Sequence, residues 1–286
     1  MEKYFSQIVS YLIYVFQASF NQLFVLFGPL LILALFLNFS AGLTARLSLR
    51  FWGRTVFLYG FGWFGCSIHE LSHAFFALIF GHKIREIALF EPNSNGESLG
   101  HVSHSFNKRS IYQKIGNFFI GIGPLLAGGI VLFLITLILY RITITDIFRF
   151  QISTAIFSER VVVSQFFKAL WSGLIAFRIV VFEGFVHSWW KSVLFCYVLY
   201  STGSSMTLSK SDVKGALSGF LWLILLVLIF NLLTLWISNF GAEGVVRINT
   251  FISAFYFLLV LSFIANVSFS ILFFILNLLK NIFVHR

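Results

Sequence analysis

Long apolar stretches alternate with short polar intervals along the chain, and most of the stretches have the length of membrane spans rather than of core helices. Residues 1–19 carry Tyr4, Tyr11 and Tyr14 among other apolar positions and predict an amphipathic helix lying partly in the interface. A first span covers 23–43 and includes Gly28-Pro29, which a spanning helix tolerates as a kink. Arg46, Arg50 and Arg54 form a short basic connection to a second span at 55–80. Further spans are expected at 115–140, 186–206 and 216–237, and residues 250–283 hold one long tilted span or two shorter helices. The pattern predicts about six transmembrane helices.

The polar interval 81–114 differs in kind. Ile84, Ile87 and Leu89 alternate in part with Arg85, Glu86 and Ala88, Pro92-Asn93-Ser94-Asn95-Gly96 is a turn signal, and Ser98 to Phe106 reads as a return strand. This predicts a small β-hairpin at the membrane surface. In 141–185, charges at Arg141, Asp146, Arg149, Glu159, Arg160, Lys168, Arg178 and Glu183 break any long span, so an interfacial amphipathic region is expected, with 161–182 able to re-enter the membrane in part. No repeat is visible. The fold class is therefore an all-α polytopic membrane protein with one small hairpin, and residues 1–286 read as a single membrane-embedded domain.

Composition sharpens this. Of 286 residues, 59% are hydrophobic and 10% charged, against about a quarter charged in soluble domains, which excludes a soluble globular protein. The net charge of +10 comes from Lys and Arg placed mostly between apolar stretches. That placement points to the lipid bilayer and away from nucleic acid. Arg46, Arg50 and Arg54 in one loop are matched by Lys83, Arg85, Lys108, Arg109 and Lys114 in the next, so the positive-inside bias chooses no orientation. Cys66 and Cys196 stand alone in apolar segments and predict neither a disulfide framework nor a CxxC metal site. The first strongly apolar run, after Gln22, is long enough to be a retained helix rather than a cleaved leader.

The candidate chemistry lies in the second span, which reads His69-Glu70-Leu71-Ser72-His73. On a helix, positions i and i+4 share a face, so the two imidazoles can meet one metal ion, and Glu70 is placed to act as a general base on water there. Zn2+ suits such donors and leaves a position open for water. From the chain's own His and Glu content, an accidental match has a chance of roughly 0.5%. Three such residues within five in a span, each costing roughly 2–3 kcal/mol if charged and unpaired, also demand a partner. Contacts to neighbouring helices or the interface are the plainer alternative to a metal.

These residues, followed by Ala74-Phe75, Gly81-His82-Lys83-Ile84, the expected strands and Gly123-Pro124-Leu125, resemble the site-two protease family of intramembrane zinc metalloproteases. The likeness is best over 55–130. It implies an H-E-x-x-H in a membrane helix, a small β-sheet after it, a nearby Gly-Pro, and an Asp on a later helix as third zinc ligand. That implies Asp212, within Leu208-Ser209-Lys210-Ser211-Asp212-Val213-Lys214-Gly215. The family's Asn and Pro are missing around it, and Gly215 stands three residues on rather than next to it. A helix N-cap, alone or with Ser209 or Ser211, is the other reading of Asp212.

Other donors compete. His101 and His104, three apart on the expected return strand, point to opposite faces, so at most one faces a metal easily. Glu183 and His187 are i, i+4 on a helix, a spacing that also suits an interfacial contact. His82 is expected to cap the span or face water, and His285 belongs to the terminus. Asn117, near the start of the third span, suits a helix-to-helix hydrogen bond or a contact to substrate. The hairpin suggests an edge for binding an extended substrate, or a shield for the site.

The expected function is zinc-assisted peptide hydrolysis in or next to membrane-spanning segments of substrate proteins, with His69, His73 and Asp212 as ligands and Glu70 as catalytic base. The alternatives are a catalytically inactive membrane scaffold of the same fold, against which Glu70 argues, and a transporter, against which the lack of repeats argues. A zinc enzyme of another class, such as a membrane hydroxylase, would carry several His-rich clusters where this chain has one.

Overall fold

A computed structural model of the protein describes residues 2–92, 99–142, 161–238 and 240–284. Helix α1 runs unbroken over Glu2–Trp52, 51 residues including Pro29, and the chain turns at Gly53, where φ is 79°. The interfacial helix and first span expected from the sequence are thus one rod, and Arg46 and Arg50, expected in a connection, lie in its last turns. At about 1.5 Å per residue the rod is about 77 Å long, more than twice a hydrocarbon layer of about 30 Å. Much of α1 therefore lies beyond any membrane that the chain crosses.

The next helical run is composite. Helix α2 (Arg54–Phe57) leads through a π-helical turn (Leu58–Gly62) into α3 (Trp63–Ile79). Strands β1 (Lys83–Ala88) and β2 (His101–Ser105) form the expected antiparallel hairpin, pairing Lys83 with Ser105 and Ala88 with His101, with an irregularity between Ile84 and Glu86. Helix α4 (Ile111–Tyr140) follows, capped by Ser110, whose hydroxyl accepts from the Gln113 N–H.

Helix α5 (Val161–Gly203) contains a break at Ser188, where φ is −157° and ψ is 72°. Its two limbs fold back on each other: Ser192 Oγ donates to the Val181 carbonyl at 3.0 Å, and Phe177 meets Phe195 at 5.5 Å. Of the region 141–185, expected to be interfacial and amphipathic, 143–160 lies outside the described residues and the part from Val161 is helical. Helices α6 (Lys210–Thr234) and α7 (Phe240–Val284) complete the chain, so the last apolar stretch is one long helix. Five helices, α1 and α4 to α7, are long and apolar enough to cross a membrane, which supports an all-α membrane protein; the expected second span is the composite run of α2, the π turn and α3.

Aromatic and aliphatic packing makes the core, with Leu37, Phe118, Leu125, Leu132, Phe195 and Phe257 fully buried. Polar pairs between helices fix their register. Asn231 donates to Ser19 Oγ at 2.8 Å and Gln22 Oε1 at 2.9 Å, tying α6 to α1. Thr44 Oγ1 donates to the Asn266 carbonyl at 2.8 Å, and Asn266 Nδ2 to the Gly203 carbonyl at 3.0 Å, tying α7 to α1 and α5. In an apolar environment each such bond is worth about 1 kcal/mol and, more to the point, forbids sliding. Helices α4 and α6 run antiparallel, with Lys114 over the Trp222 ring at 3.9 Å. They approach so closely that a Cβ at Gly121 would collide with the carbonyl of Asp212 and with Ala216. This crossing carries the first turn of α6 to the middle of the molecule.

Candidate metal centre

His69 and His73 lie one turn apart on α3, their ring centres 4.9 Å apart. Each Nδ1 meets a main-chain carbonyl from a different element: Ser205, just after α5, at 2.9 Å, and Ile120, in α4, at 2.8 Å. A carbonyl only accepts, so both Nδ1 atoms carry the proton and both Nε2 atoms turn a lone pair the other way. This arrangement orients a histidine for metal binding.

The two Nε2 atoms face Asp212. His73 Nε2 is 3.5 Å from Asp212 Oδ1, and His69 Nε2 is 4.0 Å from Oδ2. One ligand atom from each of the three residues lies within 4.8 Å of the others. Around a tetrahedral zinc with bonds of about 2.1 Å, ligand atoms sit about 3.4 Å apart. The donors therefore fit a zinc ion with a small contraction.

Asp212 also belongs to a capping box. Ser209 is the N-cap of α6; its hydroxyl accepts from the Asp212 N–H at 3.1 Å, and Asp212 Oδ2 accepts from the Ser209 N–H at 2.8 Å. The cap and the position beside the histidines are thus compatible, since Oδ1 is left toward His73. The helix start adds its positive end to a carboxylate in this place.

Glu70 is 7% exposed and borders the same cavity of about 940 Å³ as His69, His73 and Asp212. The hairpin passes directly over it: a Cβ at Gly100 would lie 2.8 Å from Glu70 Cγ and 2.7 Å from the Ala88 carbonyl. Only glycine allows so close a crossing. Asn117 is buried and lines the cavity, with no hydrogen bond to its amide among the described residues. The helix-to-helix bond expected for it is not formed there.

The other histidines engage elsewhere. His101 and His104 both border the cavity, but His101 Nε2 pairs with Glu86 Oε2 at 3.5 Å, while His104 Nδ1 is 3.0 Å from His82 Nδ1. His82, expected to cap the span or face water, is buried just beyond the end of α3, and its Nε2 donates to the Gln113 carbonyl at 2.8 Å. Burial lowers the pKa of both His82 and His104, and for His104 the neighbouring His82 lowers it further. His187 Nδ1 bonds to the Glu183 carbonyl at 2.9 Å, a contact within one helix. His285 lies outside the described residues. Among the described residues, His69, His73 and Asp212 make the one group of three such donors close enough to share an ion.

Sequence reasoning missed the two carbonyls that hold the imidazoles, which no side chain announces, and Gly100, whose signal was a glycine inside the return strand expected over 98–106. No protein-family model, curated protein or solved structure matches the chain.

Proposed function

We propose that this protein is a membrane-embedded zinc metallopeptidase of the site-two protease type, hydrolysing peptide bonds in or next to membrane-spanning segments of other proteins. The observation that carries the reading is the convergence of His69 Nε2, His73 Nε2 and the Asp212 carboxylate at a cavity that also holds Glu70. Zinc bound by these three residues would supply a Lewis acid that acidifies water and polarises the scissile carbonyl.

The chain's own residues do the rest. Glu70 takes a proton from the attacking water as the new C–O bond forms, then passes it to the amine as the C–N bond breaks. The Ser205 and Ile120 carbonyls keep both imidazoles turned toward the metal position. Asn117 offers an amide N–H to the oxygen on which negative charge develops. A substrate helix hides its carbonyls, so it must be extended to be cut, and the two-stranded hairpin supplies a strand edge beside the cavity for that.

The test is direct. Detergent-purified protein loaded under non-chelating conditions is expected to hold about one zinc per chain and to cleave a transmembrane test substrate in a way that chelation abolishes and zinc restores. A parent protein that retains no zinc overturns the reading.

The crossing at Gly100 gives a second expectation. Gly100→Val pushes the hairpin or Glu70 aside without touching a ligand. Turnover should fall about a hundredfold, the order of loss that a misplacement of about 1 Å brings, while metal content measured on the same sample stays at the parent level. Normal turnover would show that Glu70 has room to spare.

A further inference from the structure

The cavity does not end at the metal position. From Glu70 it continues along one face of the composite helical run, past Cys66, Gly62 and Leu58, to Arg54, with Leu49 of α1 and Leu99 of the hairpin also lining it. The π turn makes this face continuous. In a regular helix at about 100° per residue, Arg54 would lie about 160° around the axis from Glu70. One residue taken up by the π turn at Leu58–Gly62 brings that back to about 60°.

Arg54 is exposed to the cavity end, and its Nη2 donates to the Pro92 carbonyl in the hairpin turn at 3.3 Å. No carboxylate among the described residues lies within ion-pair distance of it. Arg46 and Arg50, the other cations nearby in sequence, do not line the cavity. The walls between are apolar, so the groove offers apolar contact over its length and one cation at its end.

We propose that Arg54 selects substrates with a carboxylate about seven residues from the bond that is cut, joined to it by apolar residues. The reach follows from the helix. With one of the sixteen residues from Arg54 to Glu70 taken up by the π turn, the rest at about 1.5 Å each span about 22 Å, and an extended chain covers that in about seven residues at about 3.3 Å each. A guanidinium fork binds a carboxylate with directed, charge-assisted hydrogen bonds. The carboxylate is an Asp or Glu side chain or the carboxyl terminus of the substrate. This inference rests on the metallopeptidase reading and assigns the substrate class to the same site.

The experiment uses the full chain in detergent, loaded with zinc, and peptide hydroxamates whose zinc-binding group fixes the register. Each probe has six apolar residues and then Glu, Gln or Lys, built with the hydroxamate at either end, plus one pair ending in a free carboxylate or an amide. Competition binding is expected to favour the Glu or the free-acid probe over its neutral twin by about fivefold. Arg54→Gln should erase the preference, Arg54→Lys should keep part of it, and Arg54→Glu should shift it to the Lys probe. A gain confined to the free-acid pair identifies a chain terminus as the ligand, and a gain with Glu identifies a side chain. If acid and neutral probes bind the parent equally while His69→Ala abolishes both, Arg54 is only an interface anchor; the inference is overturned and the metal reading stands. If binding is unchanged by chelation and by His69→Ala, the metal reading fails and the inference with it.

Discussion

Asp212→Asn is expected to lower zinc affinity by more than about a hundredfold, the upper range for losing a group that merely supports a ligand, and to leave the start of α6 intact. The two effects separate because the carboxylate does two things. Its Oδ2 accepts from the Ser209 N–H, and its Oδ1 lies 3.5 Å from His73 Nε2. Asparagine keeps an oxygen for the Ser209 N–H and keeps the shape. It loses the negative charge and turns an N–H toward the Nε2 lone pairs, which then serve as hydrogen-bond acceptors rather than ligands. Asp212→Ala also loses the bond that the Ser209 N–H makes to Oδ2, the side-chain half of the capping box, and should be less stable than the Asn variant by about 1 kcal/mol. Competition against a chromophoric chelator measures the affinity, and thermal unfolding of metal-free protein in detergent measures the cap. Parent-like zinc affinity in the Asn variant would remove Asp212 from the site and leave the two histidines short of a third ligand.

The parts of this arrangement that sequence reasoning reached are those set by local geometry. His69 and His73 share a face because they are four apart on a helix, and the hairpin follows from partial alternation and a Pro-Asn-Ser-Asn-Gly turn. Asp212 came only through a resemblance, because nothing near it encodes its distance from α3. That distance depends on the close crossing of α4 and α6 at Gly121, a property of two helices that meet only in three dimensions. Hydropathy did not distinguish an interfacial helix from the span that continues it, so α1 reads as two elements although the helix runs on through Pro29 as far as Trp52. The element boundary expected at 185–186 falls just before the break at Ser188, but the folding back of the two limbs of α5 was hidden, since neither Pro nor Gly stands at the break. The π turn left no pattern either, yet it decides which residues of the composite helix share the face of Glu70.

Glu70→Gln is expected to keep the full complement of zinc and to cut turnover about a thousandfold, within the range that general acid–base catalysis contributes. Glu70 is not one of the three donors that converge, so the metal site has no reason to weaken. Glutamine matches the side chain in size, and Glu70 Cγ is held beneath the strand at Gly100, so the group stays where the carboxylate was. An amide there still hydrogen-bonds water but cannot accept its proton or return one to the leaving amine. Replacing a buried carboxylate by a neutral amide also spares the cost of a charge in an apolar setting, so stability should be equal or higher. Low turnover therefore cannot be blamed on misfolding. Glu70→Asp pulls the carboxylate back by one methylene and should recover part of the rate, because a base remains, displaced from the water. Single-turnover cleavage of a transmembrane substrate, with zinc measured on the same samples, checks all three proteins. A Gln variant with parental turnover would mean that the proton goes elsewhere and that Glu70 serves the fold; loss of zinc from it would mean that the carboxylate is a ligand and that the assignment of base and third ligand must be exchanged.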